Sequence, residues 1–189
     1  MKNLLTLTAI TGILIFNSCQ ETKAKQIDSM IMNELDEAKE KEAIMSVIEQ
    51  ETTCMFERNY ECWKACWADE EYAFQAWNGS DGTYYAAVGW DEINKGAKEY
   101  IDEIIKNTPD GESVISHPTV KREQIQFKFY NENLAFLTWK QYNSNRTNEF
   151  FKVSRDTRLM QKKDGKWKIV NVSAYWDHKN TIPFNDLKL

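Results

Sequence analysis

Lysine and arginine form no stripe anywhere in this chain. Its 24 basic residues are scattered among 29 acidic ones, and the net charge is −5. A protein that tracks a phosphate backbone needs a cationic face, so nucleic acid is excluded as a partner. Cysteine is sparse: Cys19, Cys54, Cys62 and Cys66, with no CxxC spacing, while His117 and His178 sit in unrelated contexts. Structural zinc asks for four ligands, so no metal is expected, and no cofactor either. The one long apolar run, Leu4 to Phe16, is too short for a bilayer, which needs ~20 apolar residues. There is no internal repeat and no low-complexity segment. Glu34 to Arg58 holds neither glycine nor proline, which leaves a helix uninterrupted. What the chain does have is aromatic mass. Phe, Trp and Tyr make up 13% of 189 residues, seven of them Trp, enough for one domain with large buried rings.

The N-terminus, MKNLLTLTAITGILIFNSC, carries a single charge at Lys2 before its apolar run. That shape is a secretory signal peptide. Ser18-Cys19 at its end resembles the bacterial lipoprotein lipobox, although Phe16 and Asn17 depart from the strict pattern. The resemblance implies lipidation of Cys19, a membrane attached through that lipid, and a place in the bacterial cell envelope, periplasmic or outer-surface. Removing Cys19 leaves three cysteines, so at least one is unpaired within the chain. The expected organisation is a signal peptide over 1–19, a tether over 20–33, a domain over 34–178 and a tail over 179–189.

Ile44, Val47, Ile48, Glu51, Cys54 and Met55 follow an i, i+3, i+4, i+7 track, so 34–58 is one amphipathic helix. Asn59 can cap a second, short helix. Glu71–Trp77 and Thr83–Val88 read as strands around the turn cluster NGSDG, and Asn78 also opens a glycosylation sequon with no meaning in a bacterial lipoprotein. Asp91–Asn107 is helical. Val120–Tyr130, Leu134–Asn145, Glu149–Lys163 and Lys166–Trp176 alternate over long spans, with Asp164-Gly165 as a hairpin signal. Helices first and a meander last is α+β. Four long neighbouring strands must twist and curl, so the expected shape is a cone: a curled antiparallel sheet wrapped around the long helix and two shorter ones.

Tyr60–Glu71, YECWKACWADEE, tests the metal reading directly. On a helix Cys62 and Cys66 form one row and Trp63 and Trp67 the adjacent row, a packed face in which the two cysteines cannot bridge without strain.

Two stretches carry a resemblance to the nuclear transport factor 2-like superfamily, which includes SnoaL-like cyclases, ketosteroid isomerases, scytalone dehydratase and the association domain of calcium/calmodulin-dependent protein kinase. DTRLMQKKDGKWKIVNVSAYW, Asp156–Trp176, is similar to the association domain's last two strands, and ERNYECWKACWADEEYAF, Glu57–Phe74, to its short helix and first strand. Roughly residues 40–178 are covered. The resemblance implies a pocket between curled sheet and helices. It puts Arg158 at a pocket arginine and Trp63 at a pocket tyrosine. Thr138 and Ala174 stand where further arginines would be, and Ser173 where many SnoaL-like members have histidine.

Strand parity puts Val170, Val172, Ala174 and Trp176 on one face, concave unless a bulge shifts it, and Trp167, Ile169, Asn171, Ser173 and Tyr175 on the other. Trp139, Trp167, Ile169 and Tyr175 would then be exposed outside and would join a homodimer. Candidate ligand-binding residues are Arg158, Trp63, Tyr84, Trp67, Trp176 and Thr138. Arg158 either pairs with Asp69, Glu70 or Glu123, or clamps an anionic ligand. His117, ahead of Pro118, reads as a surface or hinge residue. The leading function is binding of a small, partly apolar ligand. The rivals are a cofactor-free isomerase, cyclase or dehydratase with Asp69 as base and a tyrosine such as Tyr84 as oxyanion partner, and a dimeric interaction module without a ligand.

Overall fold

The computed structural model describes residues 18–110 and 112–188, with side chains from residue 36 onward. Residues 1–17 of the expected signal peptide therefore lie outside the described residues, as does the side chain of Cys19. The chain divides into a unit over Met1–Glu40 and a unit over Lys41–Leu189. Helix α1, Ser18–Phe56, supplies all the described structure of the first unit, including the segment expected as a tether. Among the described residues no helix is long and apolar enough to cross a membrane.

The second unit takes the last turns of α1, then α2 (Tyr60–Ala65), β1 (Phe74–Asn78), β2 (Tyr84–Val88), α3 (Trp90–Asn107), β3 (Val120–Asn131), β4 (Leu134–Ser144), β5 (Phe150–Lys163) and β6 (Lys166–Pro183). The strands form one sheet in the order β2-β1-β6-β5-β4-β3. All pairings are antiparallel except β1 with β6, so the sheet is mixed rather than purely antiparallel. The segment that contains α3 carries the chain from β2 at one edge of the sheet to β3 at the other, and the meander from β3 to β6 returns to β1, which makes that one pairing parallel.

Local chemistry explains the boundaries. Asn59 accepts a hydrogen bond from Cys62 N and starts α2. Asp164 and Gly165 take positive φ, 49° and 74°, in the β5–β6 hairpin the sequence announced. Gly89, at φ 83°, opens α3, and a Cβ there would meet Glu71 O at 3.3 Å. β6 runs on to Pro183, through the segment expected as a tail, and Phe184 stacks on Phe151 with centroids 4.9 Å apart.

The sheet's helix-facing side holds the core. Ile44 and Ile48 of α1 and Ile93 of α3 are fully buried with Leu137, Trp139, Met160 and Ile169. Each such side chain stabilises the fold by roughly 1.5–3 kcal/mol. Trp63, Trp67 and Trp90 cluster beside them, with centroids 5.5–6.2 Å apart.

One residue changes the expected parity. Met160 pairs with Ile169, but Leu159 pairs with Asn171, so Val170 is an extra residue in β6. A bulge reverses the alternation beyond it. Trp167 and Ile169 therefore share the inner face with Val172, Ala174 and Trp176. Trp139, Trp167 and Ile169 are 0–4% exposed, not outside. Of the four residues expected to form a homodimer surface, only Tyr175 is exposed.

Cys54 and Cys62 form a disulfide between the end of α1 and α2, with Cα atoms 5.6 Å apart. Cys66 is free and buried. Burial pushes its thiol up to about 11 and the nearby Glu51 carboxylate adds to the shift, so it stays an inert packing group.

Candidate functional site

Between α1, α3 and the sheet lies a cavity with two lobes. The larger encloses 570 Å³ and is walled by Gln75, Trp77, Tyr85, Gly96, Ala97 and Tyr100. The smaller, 290 Å³, lies over β4, β5 and β6, and its walls include Gln141, Asn143, Asp156, Arg158, Val172 and Trp176. Glu51, Met55 and Trp77 line both lobes and so mark their junction.

Register explains which side chains arrive there. Gln75 and Trp77 of β1 pair with Ala87 and Tyr85 of β2 and with Val172 and Ala174 of β6, so all six share the inner face. Trp77 and Tyr85 stack 4.3 Å apart. Arg158 and Asp156 pair with Val172 and Ala174, and with Leu137 and Trp139 of β4. A large apolar pocket with a few convergent polar groups is the usual form of a small-molecule site.

The polar groups are tightly organised. Ser154 Oγ donates to Asp156 Oδ1 at 2.5 Å, and Arg158 Nη1 donates to Asp156 Oδ2 at 3.3 Å and to Thr157 O at 2.9 Å. The three side chains stand two residues apart on β5, which puts them on one face. Arg158 also lies 4.9 Å from the Trp139 ring. Asp156 and Arg158 are 2% and 5% exposed, so this is a buried ion pair. Arg122 of β3 approaches from the side and pairs with Glu49 at 2.5 Å while donating to Thr52 at 2.8 Å.

Glu51 is the exception. It accepts 2.9 Å from Trp63 Nε1, and among the described residues no cation lies within ion-pair distance of it. Burial raises its pKa, against the attraction of Arg158, the Trp63 hydrogen bond and Arg122. A carboxyl with a raised pKa in a cavity is a marked candidate for function.

No protein-family model matches the sequence, and no curated protein matches it. Solved structures do. The association domain of C. elegans CaMKII superimposes with a TM-score of 0.54 at 14% identity, over 74% of this chain and 97% of that one. An NTF2-like protein of unknown function from Pseudomonas putida KT2440 reaches 0.52 at 13% identity, over 77% and 94%. A protein of unknown function with a cystatin-like fold from Nostoc punctiforme reaches 0.51 at 17% identity, over 72% and 90%.

The chain has the NTF2-like fold.

At these identities the likeness is one of fold alone. Within this NTF2-like fold the six expected ligand residues scatter. Arg158 and Trp176 line the smaller lobe. Trp63 is fully buried and touches a cavity residue through its hydrogen bond to Glu51; Trp67 meets Trp63 at a tilt of 45° in the core. Tyr84 and Thr138 point away. Tyr84 pairs with Asn78 on the outer face and is 81% exposed, and its neighbour Tyr85 faces inward instead. Thr138 alternates with the buried Leu137 and Trp139 and so faces outward. Arg158 pairs with none of Asp69, Glu70 or Glu123. Its partner is Asp156, while Glu70 meets Lys163 and Glu123 meets Lys121. Asp69 lines a separate 230 Å³ hollow with Glu70, Glu71 and Gly89, not the main cavity. His117 is exposed.

Glu51, Trp77, Tyr85 and Asp156 were missed as site residues. A signal existed for the first: Glu51 lies on the apolar track of α1, where a charged residue needs a reason.

Proposed function

We propose that the domain binds a small, largely apolar molecule in the two-lobed cavity, its body against Trp77 and Tyr85 and its polar end at the floor of Glu51, Asp156 and Arg158. The observation that carries this is the cavity itself. Its 570 Å³ lobe lies within the range of drug-sized sites, and its aromatic walls open onto buried polar groups.

Nile red, a neutral apolar dye, tests the reading. It should bind saturably at one site per chain with raised fluorescence. Ala97→Trp, which fills the larger lobe from α3, should abolish binding with the melting temperature retained. No saturable binding, or unchanged binding by this variant, overturns the reading.

A second reading is acid/base catalysis without a cofactor, with Glu51 in the role expected of Asp69. Its support is the raised pKa of a carboxyl that touches both lobes. Turnover of any accepted substrate that survives Glu51→Gln removes it.

We further propose export with lipid attachment at Cys19, which mass spectrometry of the mature N-terminus tests. Self-association is proposed on the likeness to a domain named for association. A monomer mass by light scattering at micromolar concentration contradicts it.

A further inference from the structure

We propose that the ligand is an amine, with a cationic nitrogen seated at Glu51 and an apolar or aromatic body in the larger lobe. This inference rests on the reading of the cavity as a small-molecule site.

The pairing on the floor carries it. Asp156 and Glu49 already hold Arg158 and Arg122. Glu51 is the carboxylate left over, with no cation within ion-pair distance among the described residues. A ligand cation would supply that partner. An anion would meet the Glu51 and Asp156 carboxylates beside guanidinium groups that are already engaged.

The walls agree. Trp77 and Tyr85, stacked at 4.3 Å, line the same lobe as Glu51, and aromatic rings attract cations. Tyr100 adds a third ring to the same lobe. Asn143 Oδ1, in the smaller lobe, is a buried acceptor with no partner, and an ammonium group is all donor. The protein's net charge of −5 draws cations toward it. Arg158 Nε and Arg122 Nε are the opposing observations, buried donors without a partner. Both guanidinium groups nevertheless have a carboxylate partner, Asp156 and Glu49, and both lie over the Trp139 ring.

An amine at this site also couples binding to the proton on Glu51. The groups that face this carboxyl are Arg158 and Asp156 on β5, Arg122 on β3, Trp63 on α2, and Cys66 just beyond it.

The test is competition against Nile red on the full chain by three isosteres: 4-phenylbutylamine, 4-phenylbutanol and 4-phenylbutanoate. At about pH 8 the amine should bind about ten- to hundredfold tighter than the alcohol, the worth of one charge-assisted contact, and the carboxylate should bind weakest. Glu51→Gln should bring the amine down to the alcohol's affinity and leave the alcohol unchanged. The amide of this variant still accepts from Trp63 Nε1, and an unchanged melting profile verifies its fold. Acidification from about pH 8 to about pH 4.3, the ordinary glutamate value, should weaken the amine and not the alcohol, because the Glu51 pKa is held above that value. An alcohol as tight as the amine, or an amine indifferent to Glu51→Gln, overturns the inference and leaves the cavity reading standing. Tightest binding by the carboxylate overturns it in favour of Arg158 as the docking group. Failure of all three, with Nile red itself unbound, overturns both readings.

Discussion

Arg158→Met separates a structural ion pair from a ligand clamp. Methionine keeps the length and the packing on Trp139, and only the charge and its hydrogen bonds go. What remains is Asp156, 2% exposed, with Ser154 as its single side-chain donor. Breaking a buried pair on one side costs about 3–5 kcal/mol, because the surviving charge stays desolvated. At about 2–4 °C per kcal/mol for a chain of this size, the melting temperature should fall by about 6–20 °C. Asp156→Leu should cost a similar amount, with the guanidinium now stranded. The double variant, Asp156→Leu with Arg158→Met, removes both charges and puts apolar volume in their place, so it should be more stable than either single variant. Urea denaturation midpoints of the four proteins close the cycle. Losses that simply add, or an Arg158→Met protein that melts with the wild type, would refute the claim that Arg158 is held by Asp156.

Three other perturbations follow from the same geometry. Cys54→Ser opens a short loop closed by the Cys54–Cys62 bridge; loop closure alone contributes about 2.5 kcal/mol, so the melting temperature should drop by about 5–10 °C, and a reducing agent should do the same to the wild type but not to the variant. Glu51→Gln should melt at or above the wild-type temperature at neutral pH. The folded state raises the Glu51 pKa, so this group contributes stability below about pH 4.3 that is lost as pH rises through its folded value; the variant's advantage should vanish in acid, and a lower melting temperature at neutral pH would count against it. Asp69→Asn should leave Nile red binding unchanged, since Asp69 lines another hollow; a tenfold weaker dissociation constant by fluorescence titration would contradict that placement.

The elements were legible because their signals are local. Hydrophobic period, an Asn cap and an Asp-Gly turn each act within a few residues, and most strand and helix ends fall close to where those signals put them; the exceptions are the start of α1, at Ser18 rather than 34, and the end of β6, at Pro183 rather than 176. The residue at the heart of the cavity was legible in principle, since Glu51 interrupts an apolar helix face. Two things were not. The Val170 bulge inverts the inner face of β6 for everything on one side of it, and no residue type announces a bulge between Ile169 and Asn171. Trp167 and Ile169 were thereby put outside. The partner of Arg158 was also hidden. Distant acids seemed the natural candidates, whereas the pair closes between Asp156 and Arg158, two residues apart on one strand, and becomes costly and specific only because Trp139, α1 and β6 bury it. Tyr84 and Tyr85 show the same limit: adjacent tyrosines face opposite ways, and only the register with β1 says which one looks inward.

The most direct measurement is a crystal structure of the protein with 4-phenylbutylamine bound. The expected result is the phenyl ring against Trp77 and Tyr85 and the nitrogen within hydrogen-bond distance of Glu51. A cavity closed by those same rings, or the amine found only on the outer surface, would contradict the account.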